Sequence, residues 1–126
     1  QIPDGSCRVL AAHTSDVHRC EFSPDGKHVA TASQDATVRI WNVVTGGEVA
    51  RLEGRGDPFY GVAFSDDGTR VAAVGDDFRL RVWSTTGFRP LSDEKLSNDA
   101  LYAVTFLPDG KSLAVGGADT VVHLCH

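Results

Sequence analysis

The sequence predicts an all-β protein built from three copies of one four-stranded antiparallel unit. Three observations predict this: a repeat of constant length, Asp-Gly turns, and side-to-side alternation of apolar residues. The repeat is visible in four columns whose members stand 42 residues apart, namely Phe22, Phe64 and Phe106; Gly26, Gly68 and Gly110; Asp35, Asp77 and Asp119; and Trp41, Trp83 and Cys125. Three such periods account for all 126 residues. Self-similarity at this spacing is typical of stacked supersecondary units.

The first two strands of each unit are joined by an Asp-Gly turn. Each first strand carries apolar residues and ends in a segment that closes with Asp-Gly: Phe-Ser-Pro-Asp-Gly at 22–26, Phe-Ser-Asp-Asp-Gly at 64–68 and Phe-Leu-Pro-Asp-Gly at 106–110. Glycine supplies the positive φ that a tight hairpin turn requires, so each turn predicts a hairpin. The second strands are therefore expected at 28–33, 70–75 and 112–117.

The third and fourth strands follow a short turn that carries the repeated aspartate. Thr-Val-Arg-Ile-Trp at 37–41 and Arg-Leu-Arg-Val-Trp at 79–83 alternate as half-buried strands do. The third strands are expected at 37–43, 78–84 and 120–125. Fourth strands are expected at 48–52 and about 89–95, and no segment predicts a helix.

A four-stranded unit of this size cannot bury both of its faces alone, whereas copies arranged radially can, which gives a β-propeller. The Ser-Pro-Asp-Gly turn, the aspartate six residues before tryptophan (Asp35 to Trp41, Asp77 to Trp83) and His13 at the start of the first unit resemble the WD-repeat (WD40) family. The resemblance implies a WD40-type β-propeller. The sequence departs from the family's Trp-Asp pair, because Asn42, Ser84 and His126 stand where the aspartate is expected.

The expected organisation is one propeller segment over 1–126. Residues 1–12 would be the outer strand of a preceding blade, 13–54 and 55–96 two complete blades, and 97–126 a blade without its outer strand. Closed propellers have about four to eight blades, so three blades make an incomplete ring. The chain is therefore expected either to be part of a larger propeller or to form a closed ring by self-assembly of its copies.

The resemblance also implies a buried polar network that braces each blade. In the first blade the family pattern falls on His13, Thr31 or Ser33, Asp35 and Trp41. The second blade keeps Asp77 and Trp83, with Arg55 in the histidine slot, and the third keeps Asp119, with Ser97 in that slot. Buried polar groups need hydrogen-bond partners, so the bracing is expected to weaken from the first blade to the third.

A candidate partner site follows from a slip in the innermost strands. Their apolar positions start with a gap of three residues rather than two, which predicts a β-bulge that re-aims His18, Tyr60 and Tyr102. In the WD-repeat family this position opens onto the top face near the central channel, where partners dock. Tyrosine suits such interfaces, although both tyrosines could also simply fill the channel mouth. Asp16, Gln34 and Asp76 would form the polar rim, and the acidic character that Asp76, Asp77 and Asp57 give it favours a basic peptide segment.

Composition and net charge restrict the classes of partner that this protein can bind. The formal net charge is −5, with 17 acidic and 12 basic residues, which argues against nucleic acid and an anionic membrane surface. No apolar run approaches the roughly 20 residues needed to span a bilayer. The three cysteines, Cys7, Cys20 and Cys125, form no disulfide framework and suit a reducing compartment. We expect an intracellular protein, cytoplasmic or nuclear.

The function predicted from the sequence is a non-enzymatic protein–protein interaction scaffold, a subunit of a multi-protein assembly that binds other subunits on its top face. A self-assembling structural ring is the main alternative, and a propeller-type enzyme is a weaker one. No cofactor or metal is expected. The motif His123-x-Cys125-His126 has no second ligand pair at zinc-finger spacing, and an Asp-His-Ser grouping buried inside a blade would face no cleft.

Overall fold

A computed structural model describes residues 9–126, which form eleven strands and no helix. The first sheet contains β1 (Val17–Phe22), β2 (His28–Ser33), β3 (Thr37–Asn42) and β4 (Glu48–Glu53). The second contains β5 (Phe59–Phe64), β6 (Arg70–Gly75), β7 (Arg79–Ser84) and β8 (Pro90–Lys95). The third contains β9 (Leu101–Phe106), β10 (Leu113–Gly117) and β11 (Val122–Cys125). The predicted all-β class is confirmed.

Each sheet is an antiparallel meander in which consecutive strands pair, and the three lie side by side with their first strands adjacent. The third sheet has three strands. The outer strand predicted within 1–12 lies mostly outside the described residues, and residues 9–12 are not in a strand. The third strand of the last unit is shorter than predicted: it begins at Val122 instead of Thr120, and Thr120 itself lies in the preceding turn with a left-handed φ of 66°.

The three Asp-Gly turns have the backbone that the sequence predicts. Gly26, Gly68 and Gly110 have φ values of 73°, 74° and 70°. Each glycine N–H donates to the carbonyl oxygen three residues earlier. The aspartate before each glycine accepts hydrogen bonds from the following residues, which lowers its pKa; backbone and side-chain donors of Thr69 and the Ser65 hydroxyl bring that of Asp67 to about 2. These turns fix the register between the first two strands of every sheet.

The middle sheet is covered on both faces. Ala30, Ala32, Val38 and Ile40 of the first sheet pack against one face of the middle sheet, and the opposite face packs against the third sheet. The residues of the first interface are Ala30, Ala32, Val38, Ile40, Leu52, Phe59, Val62, Val71, Ala73 and Trp83. Those of the second are Ala63, Ala72, Val74, Leu80, Val82, Leu101, Phe106, Leu113 and Val115.

The outer sheets carry the same kinds of residue on faces that no described sheet covers. Among the third strands of the sheets, Val38 of β3 is 0% exposed, while Val122 of β11, two periods later, is 70% exposed. Among the first strands of the sheets, Leu101 of β9 is 0% exposed, while Val17 of β1, two periods earlier, is 50% exposed. Leaving a large apolar side chain in water forgoes about 1.5–3 kcal/mol. The described sheets therefore form an incomplete ring whose two end faces have the composition of an interface between sheets.

Candidate partner-binding edge

The predicted bulge is present at the start of the first strand in all three sheets. Val17 pairs with Ser33 and Arg19 pairs with Ala32, so His18 is the extra residue between them. Tyr60 and Tyr102 are the extra residues at the same place in the second and third sheets. A bulge bends the strand and turns the extra side chain out of the regular alternation. Three side chains 42 residues apart are thus aimed at one edge of the assembly.

The three rings form a continuous row, here called the aromatic ladder (His18, Tyr60 and Tyr102). The His18 and Tyr60 ring centroids are 5.1 Å apart at 64°, and those of Tyr60 and Tyr102 are 5.3 Å apart at 50°. Both distances fall within the range for attractive aromatic pairs. Tyr102 is 53% exposed, His18 is exposed and Tyr60 is half-buried. The ladder is a preformed aromatic surface that solvent reaches.

Of the polar residues predicted for the rim, Gln34 contacts the ladder, Asp76 acts on it through its charge, and Asp16 instead bonds to Ser33 and Gln34. Gln34 Oε1 lies 2.9 Å from His18 Nε2 and so holds the imidazole in place. Asp76 acts through its charge: burial, then the Asp76 carboxylate and Tyr102, raise the pKa of Tyr60. Asp16 contributes its main-chain oxygen, which accepts from Gln34 N–H at 2.8 Å and from Ser33 Oγ at 2.8 Å. Because its pKa is raised, the phenol of Tyr60 stays neutral beside the exposed carboxylate of Asp76.

A separate polar network lies inside the first sheet. His13 Nδ1 is 2.8 Å from Asp35 Oδ2, His13 Nε2 is 2.6 Å from Thr31 Oγ1, and Trp41 Nε1 donates to Thr31 Oγ1 at 2.9 Å. With the proton on Nδ1, every donor has an acceptor: indole to hydroxyl, hydroxyl to imidazole, imidazole to carboxylate. The side chains of His13 and Asp35 are 5% and 3% exposed. This chain of hydrogen bonds is called the polar brace.

Thr31, of the two hydroxyl residues left open by the sequence, is the one that joins the brace. Ser33 Oγ instead donates to Asp16 O and accepts from the Asp35 N–H at 3.1 Å. Burial raises the pKa of Asp35, but hydrogen bonds from Thr37, His13 and the Thr14 N–H outweigh it and hold that pKa well below its usual range. The carboxylate is therefore charged and fully engaged in holding the turn.

The second and third sheets hold the repeated aspartate with different partners. Arg81 Nη2 lies 2.6 Å from Asp77 Oδ2, so the residue four positions later takes the place expected of Arg55. In the third sheet, Ser97 Oγ donates to Asp119 Oδ2 at 2.8 Å and His123 Nε2 lies 2.8 Å from the same oxygen. Arg39, Arg81 and His123 stand 42 residues apart. This column of basic residue types is not among the sequence-based predictions, although its constant spacing is visible in the sequence.

The histidine of the brace and those at 123 and 126 are all hydrogen-bonded to neighbouring side chains. A substrate cannot reach His13 and Asp35, because they are almost completely buried. His123 is bonded to Asp119, and Ser112 Oγ lies 2.8 Å from His126 Nδ1. Over residues 9–126, no group of three or more His, Cys, Asp or Glu side chains is placed to hold a metal ion. The same residues include no helix with the length and hydropathy needed to cross a membrane.

Comparison with known proteins identifies the repeat. The family model described as "WD domain, G-beta repeat" matches residues 4–42, 46–84 and 93–125. The crystal structure of RRP9 WD40 repeats superposes with a TM-score of 0.88 at 20% identity, covering 93% of this chain and 37% of that chain. The structure of U3-55K gives a TM-score of 0.87 at 20% identity, covering 93% of this chain and 38% of that one. At this identity the two structures show the fold alone.

Curated relatives match over shorter stretches. The WD40 repeat-containing protein HOS15 of Arabidopsis thaliana is 43% identical over 54 residues, or 43% of this chain and 9% of that protein. The Notchless protein homolog of the same plant is 45% identical over 49 residues, or 39% of this chain and 10% of that protein. Taf5 of Schizosaccharomyces pombe, a SAGA and TFIID complex subunit, is 45% identical over 42 residues, or 33% of this chain and 6% of that protein. The matched stretch thus spans a tenth or less of each relative.

Proposed function

The chain belongs to the WD40-repeat family, whose propellers generally serve as protein-interaction scaffolds, and on that premise we propose that it is a non-enzymatic scaffold subunit of a multi-protein assembly. The partner docks on the edge that carries the aromatic ladder, the top face of the propeller. The observation that carries the proposal is the continuous, solvent-reachable row of His18, Tyr60 and Tyr102. Tyrosine anchors interfaces because it combines a large apolar area with a polar tip and few rotatable bonds.

The geometry of the ladder supports binding over channel filling. Rings that merely filled the channel mouth would be covered by their neighbours, whereas Tyr60, which has a described sheet on each side, is only half-buried. His18 is positioned by Gln34 and packs on Tyr60, so little side-chain entropy remains to be lost when a partner docks. The ladder is pre-organised for a protein surface.

The charge of the rim supports a basic segment as the partner's contact. Asp76 is exposed and close enough to Tyr60 to raise its pKa, and Asp16 and Asp57 are also exposed. Aromatic faces beside carboxylates attract the guanidinium of arginine or the ammonium of lysine through cation–π and charge interactions. A lysine- or arginine-containing peptide therefore fits this edge better than an acidic one. The same acidity disfavours nucleic acid and anionic membranes.

A second candidate role, self-assembly into a ring, is favoured by the open end faces. Val122 and Leu124 at one end are 70% and 62% exposed, and Val17 and Phe22 at the other are 50% and 62% exposed. These residues would be buried by further blades, supplied by the same longer chain or by copies of this one. Light scattering over a dilution series separates the two: a discrete dimer or trimer supports self-assembly, and a monomeric mass supports a single longer chain.

The proposal also covers catalysis, cofactors and cellular location. The buried brace serves stability and not catalysis, and the protein needs no cofactor. We place it inside the cell, in the cytoplasm or nucleus, where the exposed Cys20 thiol stays reduced.

A panel of peptides that are matched in length but opposite in charge tests the partner site. Peptides of equal length and aromatic content, carrying either lysine and arginine or aspartate and glutamate, are titrated against the wild-type protein and against Asp76→Asn. The proposal predicts that basic peptides bind and acidic ones do not, and that Asp76→Asn weakens basic binding several-fold. Preference for acidic peptides would overturn it.

A further inference from the structure

A cavity of about 380 Å³ lies between the first and second sheets, away from the aromatic ladder. The ladder projects from the start of β1, β5 and β9, whereas the cavity is lined by the turns that follow β1 and β5 and the turn between β7 and β8. The start and the end of a strand point to opposite edges of its sheet. The cavity and the ladder therefore occupy opposite edges, and the cavity lies between two sheets that are both fully described.

The floor of the cavity is apolar. It is formed by Ile40 and Val49 of the first sheet and by Phe64 and Phe88 of the second. Val49 is 48% exposed although it lies on a strand beside the core. A cavity of this size is at the small end of the range of about 300–1,000 Å³ for ligand sites, so it accommodates one large side chain with its flanking backbone.

Phe88 reaches the cavity at a conformational cost. It adopts φ 51°, directly after Gly87 at φ 72°, and stands 42 residues after Gly46, which has φ 73° in the matching turn of the first sheet. The left-handed region is strained for a residue with a side chain, whereas glycine adopts it freely. The ring packs partly on the first core interface and otherwise lines the cavity. At this left-handed position, where the matching turn of the first sheet has glycine, the phenyl ring contacts both the core and the cavity.

Two carboxylates flank the apolar floor. Asp25 accepts hydrogen bonds from Ser23 and Lys27 at Oδ1, and Asp67 accepts from Ser65 and Thr69 at Oδ1. In both, all of these bonds fall on one oxygen, which leaves Oδ2 for a ligand. The side chains of Lys27 and Arg70 carry charge nearby, but no lysine or arginine is among the described residues that line the cavity.

We infer that this cavity is a second docking site, which takes a partner segment presenting one large apolar side chain flanked by lysine or arginine. The apolar side chain fills the space over Ile40, Val49, Phe64 and Phe88, and the flanking cations pair with Asp25 and Asp67. The site is independent of the ladder and would let the scaffold hold two partners, or two segments of one partner, at opposite edges.

The test titrates three blocked tripeptide amides, Arg-Trp-Arg, Glu-Trp-Glu and Arg-Ala-Arg, into the full chain and follows the methyl resonances of Ile40 and Val49 by NMR. The inference predicts that Arg-Trp-Arg binds at least tenfold more tightly than either of the others. Val49→Lys, which fills the cavity and repels the cations, should weaken binding at least tenfold. Leu91→Lys is the matched control, because Leu91 stands one period later, is 51% exposed and does not line the cavity.

Two further variants make the outcome decisive. Phe88→Gly should weaken Arg-Trp-Arg binding with little change in the melting temperature, because the relief of backbone strain offsets the packing that is lost with the ring. Tyr60→Ala combined with Tyr102→Ala should leave this binding unchanged. Equal binding of the three peptides, or undiminished binding by Val49→Lys, overturns the inference. Loss of binding in the tyrosine variant also overturns it by assigning the peptide to the ladder, and leaves the proposed function standing.

Discussion

The first and third sheets share a backbone plan but hold their repeated aspartate in different ways. In the first sheet, Asp35 closes a chain of buried groups that runs through His13 and Thr31 to Trp41. In the third, Asp119 is held by Ser97 and His123, whose side chain is 23% exposed. Val115 and Cys125 stand where the first sheet has Thr31 and Trp41.

This difference separates what the fold requires from what merely strengthens it. All three sheets keep the aspartate and the left-handed residue after it, Ala36, Phe78 or Thr120, so the turn is the common requirement. Only in the first of the three described sheets do a threonine hydroxyl and a tryptophan indole, those of Thr31 and Trp41, extend the hydrogen bonding from the turn into the strands. In the second and third sheets the residue four positions after the aspartate contacts it directly, as Arg81 and His123 show.

The largest effect is expected from removing the aspartate of the first sheet. Asp35→Ala leaves the buried imidazole, the Thr37 hydroxyl and two backbone N–H groups without their acceptor, and should lower the free energy of unfolding by about 3 kcal/mol. Asp119→Ala, the matched variant, should cost clearly less, since its donors reach water. Chemical denaturation of both variants measures the difference, and equal losses would contradict the comparison.

A smaller effect is expected from acid. The folded-state pKa of Asp35 lies below its unfolded value of about 4, so its contribution is fully present above pH 4 and is lost as pH falls toward the folded pKa. Asp35→Asn should therefore flatten the decline of stability between about pH 4 and pH 2. Thermal melts of wild type and variant at a series of pH values check this; parallel curves would show that Asp35 makes no contribution to the decline.

The smallest expected effect is a gain in the third sheet. Thr120 is β-branched and exposed, yet has φ 66°. Asparagine tolerates this conformation better, so Thr120→Asn should raise the free energy of unfolding by about 1 kcal/mol. Ala36→Asn in the first sheet is the control and should gain less, because alanine has no branched side chain to strain. A loss of stability in Thr120→Asn would show that the threonine makes contacts that outweigh its strain.

Local features of this molecule could be predicted from its sequence, and features that join separate sheets could not. The Asp-Gly turns and the bulge at His18, Tyr60 and Tyr102 depend on residues within one or two strands, so spacing predicts them. The choice of Thr31 over Ser33 depends on which hydroxyl faces His13 across the sheet. The cavity brings Val49 and Phe88 together from different sheets, which no local pattern encodes. Arg39 and Arg81 look like solvent-facing strand residues, yet they are 8% and 5% exposed.

We propose that stability resides in the polar brace and partner binding in the aromatic ladder. The most direct measurement is the unfolding free energy together with the affinity of the aromatic ladder for a basic peptide, followed through the ring resonances of Tyr60, in Thr31→Val and Tyr102→Ala. Thr31→Val should lose about 2 kcal/mol of stability, because the indole of Trp41 and the imidazole of His13 lose their hydroxyl partner, while its affinity stays unchanged. Tyr102→Ala should keep its stability and lose affinity at least tenfold. A Tyr102→Ala protein that binds as tightly as wild type would contradict the claim.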